Sequence, residues 1–158
     1  MSKKARAEVM LFLITFIWGS TFVTGKVVLS QVSPLQMMVI RFSLASVFFL
    51  LVGWNRLFPI AWRSVFKAAF LGLLLFLGFA AQTIGLQWTT ASKSAFITGM
   101  MVVFVPILQV LVERKPPKVG NIFGVAVVAA GLWFLCSPQG GTFSSGDGLT
   151  VLCALFFT

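Results

Sequence analysis

Side chains able to carry out acid–base or metal chemistry are scarce in this sequence. Its 158 residues include no histidine and no tyrosine, and the three acidic residues, Glu8, Glu113 and Asp147, are far apart. Histidine-based catalysis, histidine–metal sites and Ser-His-Asp triads are therefore impossible within the chain, and the acids form no carboxylate pair. Cys136 and Cys153 lack the CxxC spacing of a metal or redox motif. We expect neither an enzyme nor a protein that binds a cofactor or a metal.

Six side chains inside long apolar runs are candidates for contact with a small molecule. A charge or an amide among apolar residues needs a partner or water. Arg41 could attract an anion at an aqueous cavity, or it could have a structural role in which it binds backbone carbonyls. Gln82 could line a cavity or join two helices, and a stripe containing Thr98 could face a solute or simply pack. The candidates are Trp18, Ser20, Arg41, Gln82, Thr98 and Met101.

The apolar content of the chain predicts an integral membrane protein. Hydrophobic residues make up 59% of the sequence and charged residues 9%, with a mean hydropathy of +1.03, whereas a soluble domain is about one-quarter charged. A membrane-spanning helix needs about 20 mostly apolar residues, and the apolar positions do not alternate as they would in a strand. The sequence therefore predicts an all-α transmembrane helix bundle with five complete spans. These are residues 9–29, 34–54, 68–88, 94–112 and 119–136.

Two residues within these runs predict local features. Pro106 interrupts the backbone hydrogen bonds of the fourth run, so we expect the helix to bend there. Lys26 lies in the last turn of the first run, from which a long side chain can extend to the membrane surface.

The distribution of cations predicts which side of the membrane each loop faces. Cytoplasmic loops carry an excess of Lys and Arg. With the N-terminus in the cytoplasm, the cytoplasmic segments hold nine cations and the outer loops hold only Lys93. This topology accounts for most of the net charge of +9, and we expect no nucleic-acid partner. The nine cations are Lys3, Lys4, Arg6, Arg56, Arg63, Lys67, Arg114, Lys115 and Lys118.

The last ten residues, 149–158, are apolar but too few to cross a bilayer, because ten helical residues span about 15 Å. They are weakly similar to residues 9–17, so we expect a second copy of the five-helix unit to begin here and the chain to be truncated. A unit with an odd number of spans inserts its second copy upside down, as in many transporters. The predicted organisation is a cytoplasmic tail (1–8), a five-helix repeat (9–136), an external loop (137–148) and the start of a second repeat (149–158).

Several motifs, in this order and spacing, resemble the EamA family of the drug/metabolite transporter superfamily. They include Phe-Ile-Trp-Gly-Ser-Thr-Phe at 16–22, the Pro34 and Arg41-Phe pattern, Gly-Leu-Gln-Trp-Thr-Thr-Ala-Ser-Lys-Ser-Ala-Phe-Ile at 85–97, and Gly-Asp at 146–147. The resemblance implies ten helices in two inverted five-helix repeats, of which this chain is half. It also implies transport of small organic metabolites.

We therefore expect a multi-pass transporter in the plasma or inner membrane, with the lipid bilayer and a small-molecule solute as partners and a homodimer as an option. The favoured activity is export of amino acids or similar solutes by alternating access, with the six candidate residues along the solute path. One alternative is an exchanger of phosphorylated or nucleotide-linked sugars, which would need a cluster of basic groups. Another is a non-catalytic half-size subunit that dimerises.

Overall fold

The computed structural model describes residues 2–53, 61–114, 119–136 and 143–158, except for the side chains of residues 113, 119, 121 and 132–136. All regular secondary structure in these ranges is helical, which confirms the predicted all-α class. Trp54 and residues 137–142 of the predicted external loop lie outside the described residues. The helices are α1 (Lys3–Val28), α2 (Pro34–Gly53), α3 (Trp62–Trp88), α4 (Ala91–Gly99), α5 (Met101–Glu113), α6 (Val119–Cys136) and α7 (Ser145–Phe156).

Four helical segments in the described residues are long and apolar enough to cross a membrane. They are α1, α2, α3 and the composite segment Ala91–Val112, which joins α4 and α5. The apolar part of α6 within the described residues, Ile122–Gly131, is shorter, as is α7. The structure thus confirms several apolar helices, and the number of five complete spans and a partial sixth stays a prediction.

Helix α1 begins earlier than its apolar run because a polar residue caps it. The hydroxyl oxygen of Ser2 accepts a hydrogen bond from the backbone N–H of Ala5 at 3.2 Å, which satisfies one of the free donors at the helix start. The residues predicted as a tail at 3–8 therefore form the first turns of α1. Lys4 and Glu8, one turn apart there, form an exposed ion pair at 3.9 Å.

The fourth predicted span has a local irregularity where α4 meets α5. The N–H of Met100 donates to the carbonyls of Phe96 and Ile97, and its own carbonyl accepts from Val103 and Phe104. Met100 also keeps a helical backbone conformation, with φ −62° and ψ −11°, so the chain passes from α4 to α5 through a local irregularity. Pro106, at which we predicted a bend, lies inside α5, six positions after Met100. The irregularity is thus on the α4 side of the proline.

The closest packing in the described part of the chain is between α3 and α7, which run antiparallel. Gly85, near the end of α3, faces the start of α7, where a Cβ atom on Gly85 would lie 2.7 Å from the carbonyl oxygen of Gly146. Gly78, two turns earlier, faces Phe157 after the end of α7. At Gly85 the neighbouring atom belongs to the backbone, so only glycine permits this approach. On the α7 side, Cys153 and Ala154 are fully buried as a result.

Candidate functional site

Gln82 of α3 and Thr98 of α4 lie together in the protein interior. The side-chain amide of Gln82 donates a hydrogen bond to the hydroxyl oxygen of Thr98 at 3.2 Å, and both residues are buried. The side chain of Thr98 is also hydrogen-bonded to the thiol of Cys153 on α7. Because each polar group finds a partner in a neighbouring helix, this geometry favours the helix-joining alternative for Gln82.

Trp18 and Met101 lie together at a different place, in the wall of an aromatic cavity of about 760 Å³. The cavity is bounded by α1, α3, the start of α5 and the end of α7. Trp18 is 37% exposed there, so part of its ring is available for contact. The volume is in the range of small-molecule sites, about 300–1,000 Å³. The remaining lining residues are Leu71, Gly72, Leu74, Leu75, Phe79, Phe156, Phe157 and Thr158.

Arg41 contacts one of the rings that line this aromatic cavity. Its guanidinium carbon lies 4.2 Å from the centroid of Phe79, a cation–π contact. The ring of Phe79 meets Phe157 edge to face at 5.0 Å, and both rings line the aromatic cavity. Arg41 itself lines a second cavity of about 390 Å³ between α1 and α2, together with Thr24 and Met37. Its charge therefore lies at the boundary of two cavities.

Ser20, the sixth candidate, and Pro106, the predicted bend, lie apart from both cavities. The hydroxyl of Ser20 donates to the carbonyl of Ile17 in its own helix at 2.7 Å, on an exposed face of α1. Pro106 lines a small cavity of about 190 Å³ between α5 and α6. The six candidates are thus distributed among a buried pair, an aromatic cavity, its cationic neighbour and an exposed face.

Lys26 takes a role that we had considered for Arg41, because it binds backbone carbonyls at a helix end. Its ammonium nitrogen donates to the carbonyl oxygens of Leu86 at 2.7 Å, Gln87 at 3.0 Å and Thr89 at 2.8 Å. These carbonyls belong to the last turn of α3 and the residue that follows it, where helical partners are missing. The positive charge also opposes the negative end of the helix dipole.

Asp147 is a buried charge with several polar partners. It is 2% exposed, accepts hydrogen bonds from the backbone N–H of Ser144 at 2.8 Å and from the hydroxyl of Thr89, and lies 3.7 Å from the ammonium of Lys93. With Ser144 it forms a capping box at the start of α7. We call Lys26, Thr89, Lys93, Ser144 and Asp147 the Thr89 cluster.

The sequence contains one signal for the Thr89 cluster, which the motif-based choice of six candidates missed. Ser144 and Asp147 have the three-residue spacing of a capping box before an apolar run. The contact from Lys26 to α3 had no such signal, because its acceptors are main-chain oxygens 60 or more residues away. In the described residues, no group of three or more His, Cys, Asp or Glu side chains could hold a metal ion.

Residues 5–137 match the profile of the EamA-like transporter family. The chain belongs to this family. The resemblance noted from its motifs is thereby confirmed.

Curated relatives of this EamA-like chain agree with the assignment. An uncharacterized transporter of Archaeoglobus fulgidus is 39% identical over 98% of this chain and 47% of its own length. Protein PagO of Salmonella typhimurium is 24% identical over 95% of the chain and 51% of its own length. The chain thus spans about half the length of these relatives. No solved structure gives a significant match.

Proposed function

We propose that this EamA-like protein exports amino acids or similar small metabolites by alternating access. The observation that carries the proposal is the aromatic cavity, in which Trp18, Phe79 and Met101 come from three different helices. Large apolar rings bind the hydrocarbon part of a solute, and a few polar groups at the margin set its orientation. The family assignment supports transport as the activity.

Arg41 supplies the polar margin in this proposal. Its guanidinium is stacked on the ring of Phe79, which lines the aromatic cavity, and Arg41 also lines the second cavity. A carboxylate at the boundary of the two cavities would gain charge-assisted hydrogen bonds from it. An amino acid with an apolar side chain offers both required features, a carboxylate and a hydrocarbon part.

The irregularity at Met100 supports a moving element next to the cavity. A local departure from regular hydrogen bonding within a helix is a place at which the helix can bend. Here the irregularity immediately precedes Met101, which lines the aromatic cavity. Helix α4 is anchored by buried Ser94, Ile97 and Thr98, whereas no residue of α5 with a described side chain is buried. We propose that α5 pivots at Met100 and opens the cavity to one side.

The geometry gives less support to the sugar-exchanger alternative. A phosphorylated solute would need several basic groups in one place, whereas Arg41 is the only basic residue among the described residues that line the aromatic or the adjacent cavity. The ammonium of Lys26 is directed to three carbonyls instead. The plasma or inner membrane location, the cytoplasmic N-terminus and the homodimer stay predictions.

A binding experiment tests the proposal. The purified chain in lipid nanodiscs should bind radiolabelled phenylalanine or leucine, with glucose 6-phosphate failing to compete. Trp18→Ala should weaken binding about tenfold, which corresponds to a loss of about 1.4 kcal/mol of ring contact. Trp62→Ala is the matched control, since Trp62 is exposed at the start of α3.

The role of Arg41 has its own comparison in the same assay. Arg41→Gln should weaken binding of phenylalanine but leave binding of phenethylamine, which lacks the carboxylate, nearly unchanged. Competition by glucose 6-phosphate but not by phenylalanine would replace the amino-acid proposal with the sugar-exchanger alternative. Absence of binding by every solute in this panel would overturn the proposed site.

A further inference from the structure

We propose that the carbonyl oxygens of Leu86, Gln87 and Thr89 form a monovalent-cation site, which Lys26 fills with its own ammonium group. The proposal concerns a part of the molecule away from the aromatic cavity. The three oxygens surround one nitrogen at 2.7, 3.0 and 2.8 Å. An ammonium group has three N–H donors and no acceptor, so donors and acceptors match one to one.

The local backbone explains why these oxygens are available. Helix α3 ends at Trp88, and Thr89 is extended with φ −130° and ψ 174°, so the last carbonyls of the helix are left without helical N–H donors. The extended residue turns its own carbonyl toward the same point. Main-chain carbonyls at helix ends and in unwound segments are the groups that coordinate alkali-metal ions in channels and transporters. The site is therefore built from main chain alone.

Charge around the site also favours a cation. The negative end of the α3 dipole lies at these carbonyls. Thr89 also connects the site to a carboxylate, because its hydroxyl donates a hydrogen bond to Asp147. Removing the charge of Lys26 would therefore leave an electronegative site, with Lys93 still paired to Asp147.

An adjoining cavity gives a free ion access to the site. It has a volume of about 400 Å³ and is lined by Lys26, Leu29, Ser30, Gln87 and Trp88. Gln87 and Trp88 are exposed, whereas Leu86 and Thr89 are buried. The site thus has one wall in the protein interior and one side open to the cavity.

Occupancy of the site positions the start of α7. The carbonyl of Thr89 binds the ammonium while its hydroxyl binds Asp147, which caps α7. A cation bound to the carbonyl of Thr89 therefore fixes Thr89, whose hydroxyl holds Asp147 at the start of α7. Lys26 is a positioning residue in this arrangement, and it acts through Thr89.

Lys26→Met tests the site, because the methionine stem replaces the hydrocarbon part of lysine and leaves the ammonium position empty. In detergent without alkali-metal ions, the variant should unfold about 5 °C below the unmodified chain. Potassium or ammonium chloride should restore most of this loss. Tetramethylammonium chloride at equal ionic strength should not, because its methyl groups make this ion too large for the site.

Lys93→Met is the matched control, since it removes an equal charge from the Thr89 cluster without emptying the three-carbonyl site. Its melting temperature should respond equally to potassium and tetramethylammonium. Loss of stability in Lys26→Met that no small cation reverses would overturn the proposal. If Lys26→Met is recovered folded only from potassium-containing buffer, the proposal is supported; failure to fold in both buffers contradicts it.

A measurement on the unmodified chain needs no variant. Acetylation of amines, followed by mass spectrometry, should show that Lys26 reacts at least about tenfold more slowly than Lys4. The Lys26 ammonium is hydrogen-bonded to three carbonyls, whereas the side chain of Lys4 is 87% exposed. Equal acetylation rates would show that the site is not filled by Lys26.

Discussion

The hydroxyl group of Thr89 donates a hydrogen bond to the carboxylate of Asp147, which lies 58 residues further along the chain. This contact joins the end of α3 to the start of α7. Both residues are almost fully buried, so neither can replace its partner with bulk water. The hydrogen bond therefore fixes the relative position of two helices whose backbones touch at Gly85 and Gly146.

Asp147→Ala should lower the free energy of unfolding by about 2 kcal/mol, because it leaves the N–H of Ser144 and the hydroxyl of Thr89 without an acceptor. The measurement is reversible unfolding of the chain in mixed detergent micelles. Thr89→Val should lose a similar amount, and the double variant should lose much less than the sum.

Glu8→Ala is the control for loss of a carboxylate. The ion pair between Glu8 and Lys4 is exposed, and such pairs contribute little. Additive losses in the Asp147 and Thr89 variants would contradict a direct coupling between these two residues.

Gly85→Ala should destabilise the bundle by about 2 kcal/mol, because the added methyl group would lie 2.7 Å from the carbonyl oxygen of Gly146 and only a shift of the backbone can relieve the contact. Unfolding in the same micelles measures the change. Gly72→Ala is a matched control in the same helix, since nothing lies within 4 Å of its added methyl group. That variant should be neutral or slightly more stable, because alanine favours the helix. Equal effects at both positions would show that the α3–α7 approach does not depend on glycine.

The helices themselves were largely predictable, because length and apolar content determine them. The described residues of the five predicted runs are helical except for Leu29, at the end of the first, and Met100 in the fourth, and the other main differences are at the starts. Helix α3 begins at Trp62 instead of residue 68, since the intervening Arg63 and Lys67 are compatible with a helix although they interrupt the apolar pattern.

The irregularity at Met100 was missed in the sequence analysis. Pro106 was the signal that we used for a bend in that run, whereas Gly99, a poor helix former, lies directly before the observed irregularity. Ser94, Ile97 and Thr98 are buried against their neighbours, and α4 ends immediately after them. The partner of Lys26 was unpredictable, because its three acceptors are main-chain groups that every residue possesses.

Ser145→Cys should react with an impermeant thiol reagent in intact cells, and Ser2→Cys should not. The nine-to-one distribution of cations predicts that the N-terminus is in the cytoplasm and that residue 145 is outside. Both serines are exposed, so a difference in labelling reports the side of the membrane and not burial. The test requires a Cys136→Ser background, whereas Cys153 is fully buried. Labelling of Ser2→Cys alone would invert the topology.

Thiol accessibility also separates the residues that we place on the solute path from those that join helices. In the Cys136→Ser background, Trp18→Cys and Met101→Cys should react with a small water-soluble thiol reagent, and phenylalanine should slow the reaction, because both positions line the aromatic cavity. Thr98→Cys should react at least about tenfold more slowly, since Thr98 is 3% exposed and hydrogen-bonded to Gln82.

Phe12→Cys is the control for a lipid-facing position, because Phe12 is 71% exposed on α1 but does not line the aromatic cavity. It should stay unreactive, since the reagent does not enter the hydrocarbon core. A fast reaction of Thr98→Cys that phenylalanine slows would place the buried pair of Gln82 and Thr98 on the solute path. The two helices would then have to separate during transport and expose Gln82 to water. Equal inertness of Trp18→Cys, Met101→Cys and Phe12→Cys would instead remove the aromatic cavity from the transport mechanism, because a path that carries solute must admit a water-soluble reagent of similar size.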